Sequence, residues 1–254
     1  SVPRGAGQTN RSVTALSSNA VATSDGGAPK APADGYKNWP KPDTIPGEYV
    51  YSFYDDNDRD TFIQLARLQG VVIVDKLDLG FSVRVRVPDR QSLDELFRRA
   101  PTPMDGSPNF FVKAPEVFGK NPELPQGAYK PFGSIALQWL GVSGDLGAWG
   151  KGMTVAVLDT VVGKHRSLEE DNIERLKGAP EAGELGTLTA HGTAVASLVA
   201  GGAADLTGLA PASKILSIQV LGDDGSGDTF TLAKAIVDAV NRGANVINLS
   251  LGTH

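Results

Sequence analysis

The sequence predicts an α/β protein in which a doubly wound parallel sheet follows a smaller α+β domain. From about residue 136 onward, continuous apolar strand patterns alternate with helical patterns, as in parallel sheets with crossover helices. Residues 48–118 carry shorter strand patterns separated by helical spacing of apolar residues. With 254 residues and 41% hydrophobic content, the chain can build a core for each of these parts.

Two segments have compositions that do not support a core. Residues 1–47 are rich in Ser, Ala, Gly and Pro and contain few large apolar groups, so burial cannot offset the entropy of ordering them. Residues 119–135 are rich in Pro and Gly, a composition typical of linkers. The sequence therefore predicts a flexible lead-in over 1–47, a linker over 119–135 and folded parts at 48–118 and 136–254.

The first folded part shows the order β-α-β-β-α-β, with strand patterns at 48–53, 71–74, 81–87 and 109–112. Helical spacing of apolar residues predicts the first helix over 60–69. Ser92 is the expected N-cap of the second helix, with Glu95 as the partner of a capping box. This order predicts the split, ferredoxin-like arrangement of a small α+β domain.

The second folded part contains strand patterns that are apolar throughout, as strands buried on both faces of a parallel sheet require: 153–158, 215–221 and 246–250. Between the last two, Asp228 or Thr229 is placed to cap an amphipathic helix that ends at Gly243. A strand, a helix and a strand in this order predict a parallel pair with a crossover connection.

Charge and composition exclude several classes of function. The net charge is −5 at pH 7 and no basic stripe with interleaved aromatic residues occurs, which argues against nucleic acid as a partner. No apolar run approaches the roughly 20 residues that span a bilayer, so no membrane partner is expected. The absence of cysteine excludes disulfides, thiolate metal sites and cysteine catalysis. No signal peptide is recognisable in the sequence.

The strongest chemical signal is an acid and an imidazole 32 positions apart, Asp159 and His191. Asp159 follows an apolar strand, and the carboxyl ends of parallel strands form the edge where α/β sites are built. His191 opens an apolar helix and is followed by Gly192, which lets a substrate or partner backbone come close. A carboxylate that accepts the Nδ1–H of an imidazole orients a general base. Taken singly, the aspartate could equally cap a turn and the histidine could be a surface residue.

Several segments, in order, resemble the motifs of subtilisin-like serine peptidases (subtilases). They are an aspartate motif at 155–160, a histidine motif at 191–197, a Gly-Leu-Ala-Pro step at 208–211 and two substrate-lining segments at 220–227 and 246–252. Each motif alone is weak, but their shared order within 136–254 makes a chance match very improbable.

The resemblance implies that Asp159 orients His191 and that His191 is the general base. It also implies that two extended edges pair with the backbone of a peptide or protein substrate by β-augmentation. Their candidate substrate-binding residues are Leu221, Gly222, Gly225, Ser226 and Gly227 on one edge and Ser250, Leu251 and Gly252 on the other. For 225–227 a plain turn is the alternative interpretation. The family further implies no cofactor and a secreted or periplasmic location.

The element order and position of residues 48–118 resemble the propeptide of the same family, an intramolecular folding aid and inhibitor. The alternatives are a generic small α+β domain and an inhibitor-like binding module in which these residues act by themselves. No metal site is expected in the loop after the histidine helix, because Asp205 is the only acidic residue between His191 and Pro211 and calcium needs several oxygen ligands.

Two departures from the family pattern bear on activity. Val161 stands where the family has glycine, and a branched side chain there could shift the backbone of the acid or narrow the site. Neither the family's Gly-Asn oxyanion motif nor its Gly-Thr-Ser nucleophile motif occurs up to His254. Since the triad acts as a unit, we expect this chain alone to be inactive and a complementary C-terminal polypeptide to supply the serine. The alternative is a non-catalytic, subtilase-like peptide-binding or scaffold protein.

Overall fold

The computed structural model describes residues 43–115, 137, 139–176, 189–203, 206–222 and 224–252. The predicted linker, most of the predicted lead-in, Asp205 and His254 lie outside these residues. Among the helices of the described part of the chain, none is long and apolar enough to cross a membrane.

The small domain contains six elements: β1 (Thr44–Ser52), α1 (Asp56–Leu68), β2 (Val72–Leu77), β3 (Ser82–Arg86), α2 (Arg90–Phe97) and β4 (Asp105–Lys113). The strands are antiparallel and lie in the order β4-β1-β3-β2. Both helices pack on the sheet over one apolar cluster, which includes Tyr51, Phe53, Phe62, Val83, Val85 and Leu96. The element order is the predicted β-α-β-β-α-β order.

The first strand starts at Thr44, ahead of the predicted boundary at 48. Gly47 adopts a φ of 74°, and the register of β1 against β4 shifts between Thr44 and Tyr49. Such an irregularity is a β-bulge, which lets a strand continue past residues that do not fit the regular ladder. The Pro-Gly pair at 46–47 therefore marks a bulge within β1, and the predicted end of the lead-in was too late.

Aspartates set the starts of both helices in the small domain. Asp55 accepts a hydrogen bond from Asp58 N, so α1 begins earlier than the predicted residue 60. The prediction that Ser92 caps α2 was wrong: Asp89 is the N-cap, and its Oδ1 accepts from Ser92 N at 2.8 Å. Aspartate and serine are about equally good N-caps, so the local pattern could not rank them.

The second part of the chain is built on a parallel sheet whose strands are β5 (Thr154–Asp159), β6 (Ile173–Leu176), β9 (Lys214–Gln219) and β11 (Val246–Leu249). They lie in the order β11-β5-β9-β6. The remaining elements are a 3₁₀ turn (Glu170–Asn172), α3 (Thr189–Ala200), a hairpin of β7 (Gly202–Ala203) and β8 (Leu206–Thr207), β10 (Ser226–Asp228) and α4 (Thr229–Asn241).

Alternate residues of β5 are buried against different helices. Val155 and Val157 belong to a cluster that includes residues of α3, whereas Ala156 and Leu158 belong to a cluster that includes residues of α4. A strand covered on both faces has to be apolar throughout, which is the pattern that the sequence shows. The predicted α/β class with a parallel sheet is confirmed.

The two parts share a sheet and some of their core. β10 pairs antiparallel with β4, so the small domain's sheet continues as β10-β4-β1-β3-β2. Val112 of β4 is 2% exposed and lies in the apolar cluster that includes residues of α4. The last strand of the small domain therefore joins the α/β part through its backbone and through a buried side chain.

Candidate active site

Asp159 and His191 are in direct contact at the carboxyl end of β5. His191 Nδ1 lies 2.8 Å from Oδ1 and 2.9 Å from Oδ2 of Asp159. An ionised carboxylate can only accept hydrogen bonds, so Nδ1 carries the proton and the lone pair of the neutral ring is on Nε2. The Asp159 side chain is fully buried, whereas 18% of the His191 side chain is exposed. The acid is shielded from water, and the base is accessible.

The position of Asp159 is set by the main chain around it. Thr160 N donates to Asp159 Oδ1 at 2.6 Å, and Asp159 O accepts from Val220 N at 2.9 Å. Asp159 also stands opposite Gln219 in the parallel pairing of β5 with β9. The carboxylate is therefore held by the last residues of the central strands, at the edge that the sequence predicted.

The position of His191 depends on the glycine that follows it. A Cβ on Gly192 would lie 2.2 Å from Thr160 O, so no other residue fits without moving the helix. Gly192 N donates to Thr160 Oγ1 at 2.9 Å, and Thr193 Oγ1 accepts from Gly163 N at 2.8 Å. The backbone that lies close to Gly192 is that of Thr160 in the same chain, whereas the sequence suggested a substrate or partner backbone.

The Asp159–His191 contact is formed with Val161 two positions after the acid. The backbone after the acid is tied down at the next residue. Val162 is fully buried, its N–H donates to Ser217 Oγ at 3.1 Å, and its carbonyl accepts from Arg175 Nε at 2.6 Å.

The first predicted substrate edge is paired with the end of the small domain. Residues 226 and 227 stand opposite residues 113 and 112 in an antiparallel ladder. The ladder continues on the other side of Ser226, because Ala114 N donates to Gly225 O at 2.9 Å. This edge is therefore already engaged in β-pairing of the kind that an extended peptide would use.

The second predicted edge pairs with the same segment from the opposite side. Lys113 N donates to Gly252 O at 2.9 Å, and Gly252 N donates to Lys113 O at 3.0 Å. Residues 112–114 thus lie between the two edges and form main-chain hydrogen bonds to both. Next to Gly252, Leu251 packs against the apolar cluster that contains Val112, and Ser250 Oγ lies 2.8 Å from Asn248 Nδ2.

Leu221 and Gly222 lie outside the ladder that the rest of the first edge forms with β4. Leu221 is fully buried in the same apolar cluster as Val112. Gly222 N donates to Ser226 O at 2.8 Å and closes a turn that leads into the edge. The hydroxyl and the backbone N–H of Ser226 both donate to Asp224, and these bonds lower the pKa of that carboxyl. Gly222 and Gly225 thus lie in a turn, and residues 226–228 form a strand that pairs with β4.

The structure is that of an α/β protein with an aspartate–histidine pair at the carboxyl edge of its parallel sheet, beside two extended edges. This is the arrangement that the acid and the base of a hydrolytic triad require. Residues 150–254 match the subtilase family (Peptidase S8). This part of the chain is similar to that family of serine proteases.

Curated relatives and solved structures agree with the assignment. The chain is 33% identical over 159 residues to minor extracellular protease Vpr of Bacillus subtilis (strain 168), covering 57% of this chain and 20% of that protein. It is 34% identical over 110 residues to subtilisin Savinase of Lederbergia lenta, covering 42% of this chain and 40% of that protein. The matched regions thus span well under half the length of these relatives.

The fold resembles that of fervidolysin from Fervidobacterium pennivorans, a keratinolytic enzyme related to subtilisin, with a TM-score of 0.61 and 20% identity. The likeness covers 85% of this chain and 37% of that one. Because it covers so much of the chain, it extends beyond residues 150–254 into the small domain.

Proposed function

We propose that this chain carries the acid, the base and the substrate edges of a secreted serine endopeptidase of the subtilase family, in its zymogen form. The observation that carries the proposal is the Asp159–His191 hydrogen bond beside the two edges formed by residues 225–227 and Gly252. Secretion is supported by the relative that is named an extracellular protease. The nucleophilic serine is supplied by polypeptide outside this sequence.

The proposed chemistry follows from the tautomer that Asp159 imposes. With Nδ1–H donated to Asp159, Nε2 of His191 accepts the proton of the serine hydroxyl while the serine oxygen attacks the peptide carbonyl carbon. The same proton then passes from Nε2 to the leaving amine nitrogen, and an acyl-enzyme remains. Water repeats the sequence and releases the acid product. Asp159 stays ionised throughout and stabilises the imidazolium.

We propose that the small domain, residues 48–118 with the strand residues 44–47, is the propeptide of this zymogen. Residues 112–114 form hydrogen bonds to both edges, so a substrate strand cannot pair with them at the same time. Val112 also occupies the apolar cluster around Leu221. The domain therefore acts as an intramolecular inhibitor, and its contribution to the shared core makes it a folding aid.

Apolar surface on the α/β part supports a further polypeptide as partner. β11 lies at one edge of the described parallel sheet, and its Val246 and Leu249 are 50% and 44% exposed. An edge strand with exposed apolar residues is a template for pairing. A cavity of about 430 Å³ opens beside α3, lined among others by Thr193, Ala194, Leu198 and Leu206. We propose that the polypeptide that carries the serine covers this edge and this face.

A fluorophosphonate probe tests the catalytic proposal. The native protein, purified with all the polypeptide that it contains and with the small domain removed by limited proteolysis, should be labelled on a serine. His191→Ala should abolish this labelling, because the hydroxyl then has no base. Lys151→Ala, at an exposed position of the α/β part, is the control and should be labelled like the unaltered protein. Equal labelling of the His191 variant, or no labelling of the unaltered protein, would instead support a non-catalytic peptide-binding protein.

A further inference from the structure

Buried polar groups cluster where the small domain meets the first turn of α4. Asn109 is fully buried at the centre of this contact. Its Nδ2 donates to Glu48 Oε2 and to Asp228 Oδ1, both at 3.1 Å. Its Oδ1 accepts from Thr229 Oγ1 at 3.0 Å and from Phe230 N at 3.2 Å. Both donors and both acceptor sites of the amide are used, so its orientation is fixed.

Arg84 joins the two parts of the chain electrostatically. Its guanidinium donates to Glu48 Oε2 at 2.7 Å and to Asp228 Oδ2 at 3.0 Å. The Arg84 and Asp228 side chains are only 15% and 12% exposed, so water screens this pair weakly. Asp228 is also the N-cap of α4, where its carboxylate accepts from Thr231 N at 2.9 Å. The small domain therefore binds the charged cap of a helix in the α/β part.

A second ion pair follows further along the same helix. Lys234 Nζ of α4 lies 2.7 Å from Asp75 Oδ2 of β2. The charges are thus opposite at both positions: a cation of the small domain faces the acidic cap of α4, and an anion of the small domain faces the lysine. Both pairs join residues that are far apart in the sequence.

We propose that these two pairs, Arg84 with Asp228 and Asp75 with Lys234, determine which partner the small domain recognises. The partner that fits is a helix N-terminus with an acidic N-cap and a cation in its second turn. The proposal rests on the proposed role of the small domain as a dissociable inhibitor. Main-chain pairing by residues 112–114 is largely independent of sequence, whereas opposed charges discriminate between partners. The pairs therefore make the inhibitor selective for the α/β part of its own chain.

Asp228→Asn tests the central pair in the full chain. Asparagine is as good an N-cap as aspartate, so α4 keeps its cap while Arg84 loses one ionic partner. Charge-assisted hydrogen bonds are roughly twice as strong as neutral ones, so the protection of the Lys113, Ala114 and Gly252 amides against hydrogen exchange should fall about tenfold. Asp89→Asn is the matched control: it alters the cap of α2, which bonds to Ser92, and should leave these amides unchanged.

Charge reversal tests the outer pair. The amides of Lys113, Ala114 and Gly252 are the docking amides. Asp75→Lys and Lys234→Asp should each lower the protection of these amides against hydrogen exchange by about two- to fivefold, as expected for a partly exposed pair. The double variant should restore most of the protection, which a merely structural role of either residue would not explain.

Unchanged protection in Asp228→Asn, or no recovery in the double variant, would overturn the proposal. The proposal is also overturned if, in the unaltered chain, the docking amides exchange only when both apolar cores unfold. The small domain would then have no docking step separate from global unfolding. The peptidase assignment is independent of these outcomes, since its test measures labelling of a serine.

Discussion

At the scale of single residues, Gly192 and Asn109 are the positions where the structure leaves least freedom. Gly192 lies where the helix that carries His191 touches the strand that carries Asp159. Asn109 uses all of its hydrogen-bonding capacity at the contact between the two parts of the chain. A substitution at Gly192 is therefore expected to move a helix, and one at Asn109 is expected to weaken the contact between the two parts of the chain.

Gly192→Ala should push α3 away from β5, because the new Cβ would lie 2.2 Å from Thr160 O. Overpacking of this kind costs about 1–3 kcal/mol, and the Asp159–His191 contact should be lost as the helix moves. Thermal unfolding measures the first effect, and the NMR signal of the Nδ1 proton measures the second. Gly202→Ala is the control, since nothing lies within 4 Å of a Cβ there. Equal stability of the two variants would show that α3 adapts without cost.

Asn109→Asp should weaken the docking of the small domain. A third carboxylate would replace an amide that donates to both Glu48 and Asp228, so two attractive hydrogen bonds become repulsive contacts. Asn245→Asp at the exposed start of β11 is the control, because that amide oxygen only accepts, from Thr154 N. Protection of the Gly252 amide should fall in the first variant alone, and a similar fall in both would contradict this view of the contact.

At the scale of elements, the end of β4 is the feature that links the two parts of the chain. At this end Val112 is buried, whereas Lys113 is exposed and contributes through its backbone. Because Lys113 bonds to Gly252 through both its N–H and its carbonyl, the strand can be weakened without changing any core residue.

Lys113→Pro should release the second edge. Proline has no N–H, so the hydrogen bond to Gly252 O is lost. The equilibrium constant between the docked and the open small domain should therefore shift roughly tenfold or more toward the open state. Lys113→Ala keeps the backbone donor and is the control. Binding of a fluorescent extended peptide to the full chain should increase in the proline variant only. Peptide binding that is the same in both variants would argue that residues 112–114 do not block the edges.

At the scale of the whole molecule, Glu48 couples stability to pH. Burial raises the pKa of this carboxyl, but hydrogen bonds from Arg86, Asn109 and Arg84 together lower it more, so the pKa lies below its ordinary value of 4.5. A depressed pKa means that the ionised form stabilises the folded state above the unfolded pKa. That stabilisation is lost as the pH falls through the folded pKa.

The full chain should therefore keep its docked small domain at neutral pH and lose stability progressively below about pH 4.5. Glu48→Gln should be less stable at pH 7, because Arg84 and Arg86 lose their shared anion, and should show a flatter decline in acid. Thermal unfolding between pH 3 and 7 measures both. An unchanged acid decline in this variant would assign the pH dependence to other carboxylates.

Much of the fold can be predicted from local sequence patterns, and the predictions that were wrong have local causes. The apolar run of β5 predicts a strand buried on both faces, and alternate residues do face different helices. The cap of α2 was misassigned because Asp89 and Ser92 are equally suited to that role. The start of β1 was missed because the lead-in was predicted from its composition, whereas residues 44–47 belong to a strand that pairs with β4.

By itself the sequence determined the α/β class, the similarity of residues 150–254 to the subtilase family and the candidate pair of Asp159 and His191, because periodicity and motif spacing are properties of neighbouring residues. Only the tertiary structure decided that residues 112–114 lie between the two edges. It alone brought Asn109 to Asp228, which are 119 positions apart in the chain. Such contacts depend on how whole elements pack, and no local pattern of charge or polarity specifies that packing.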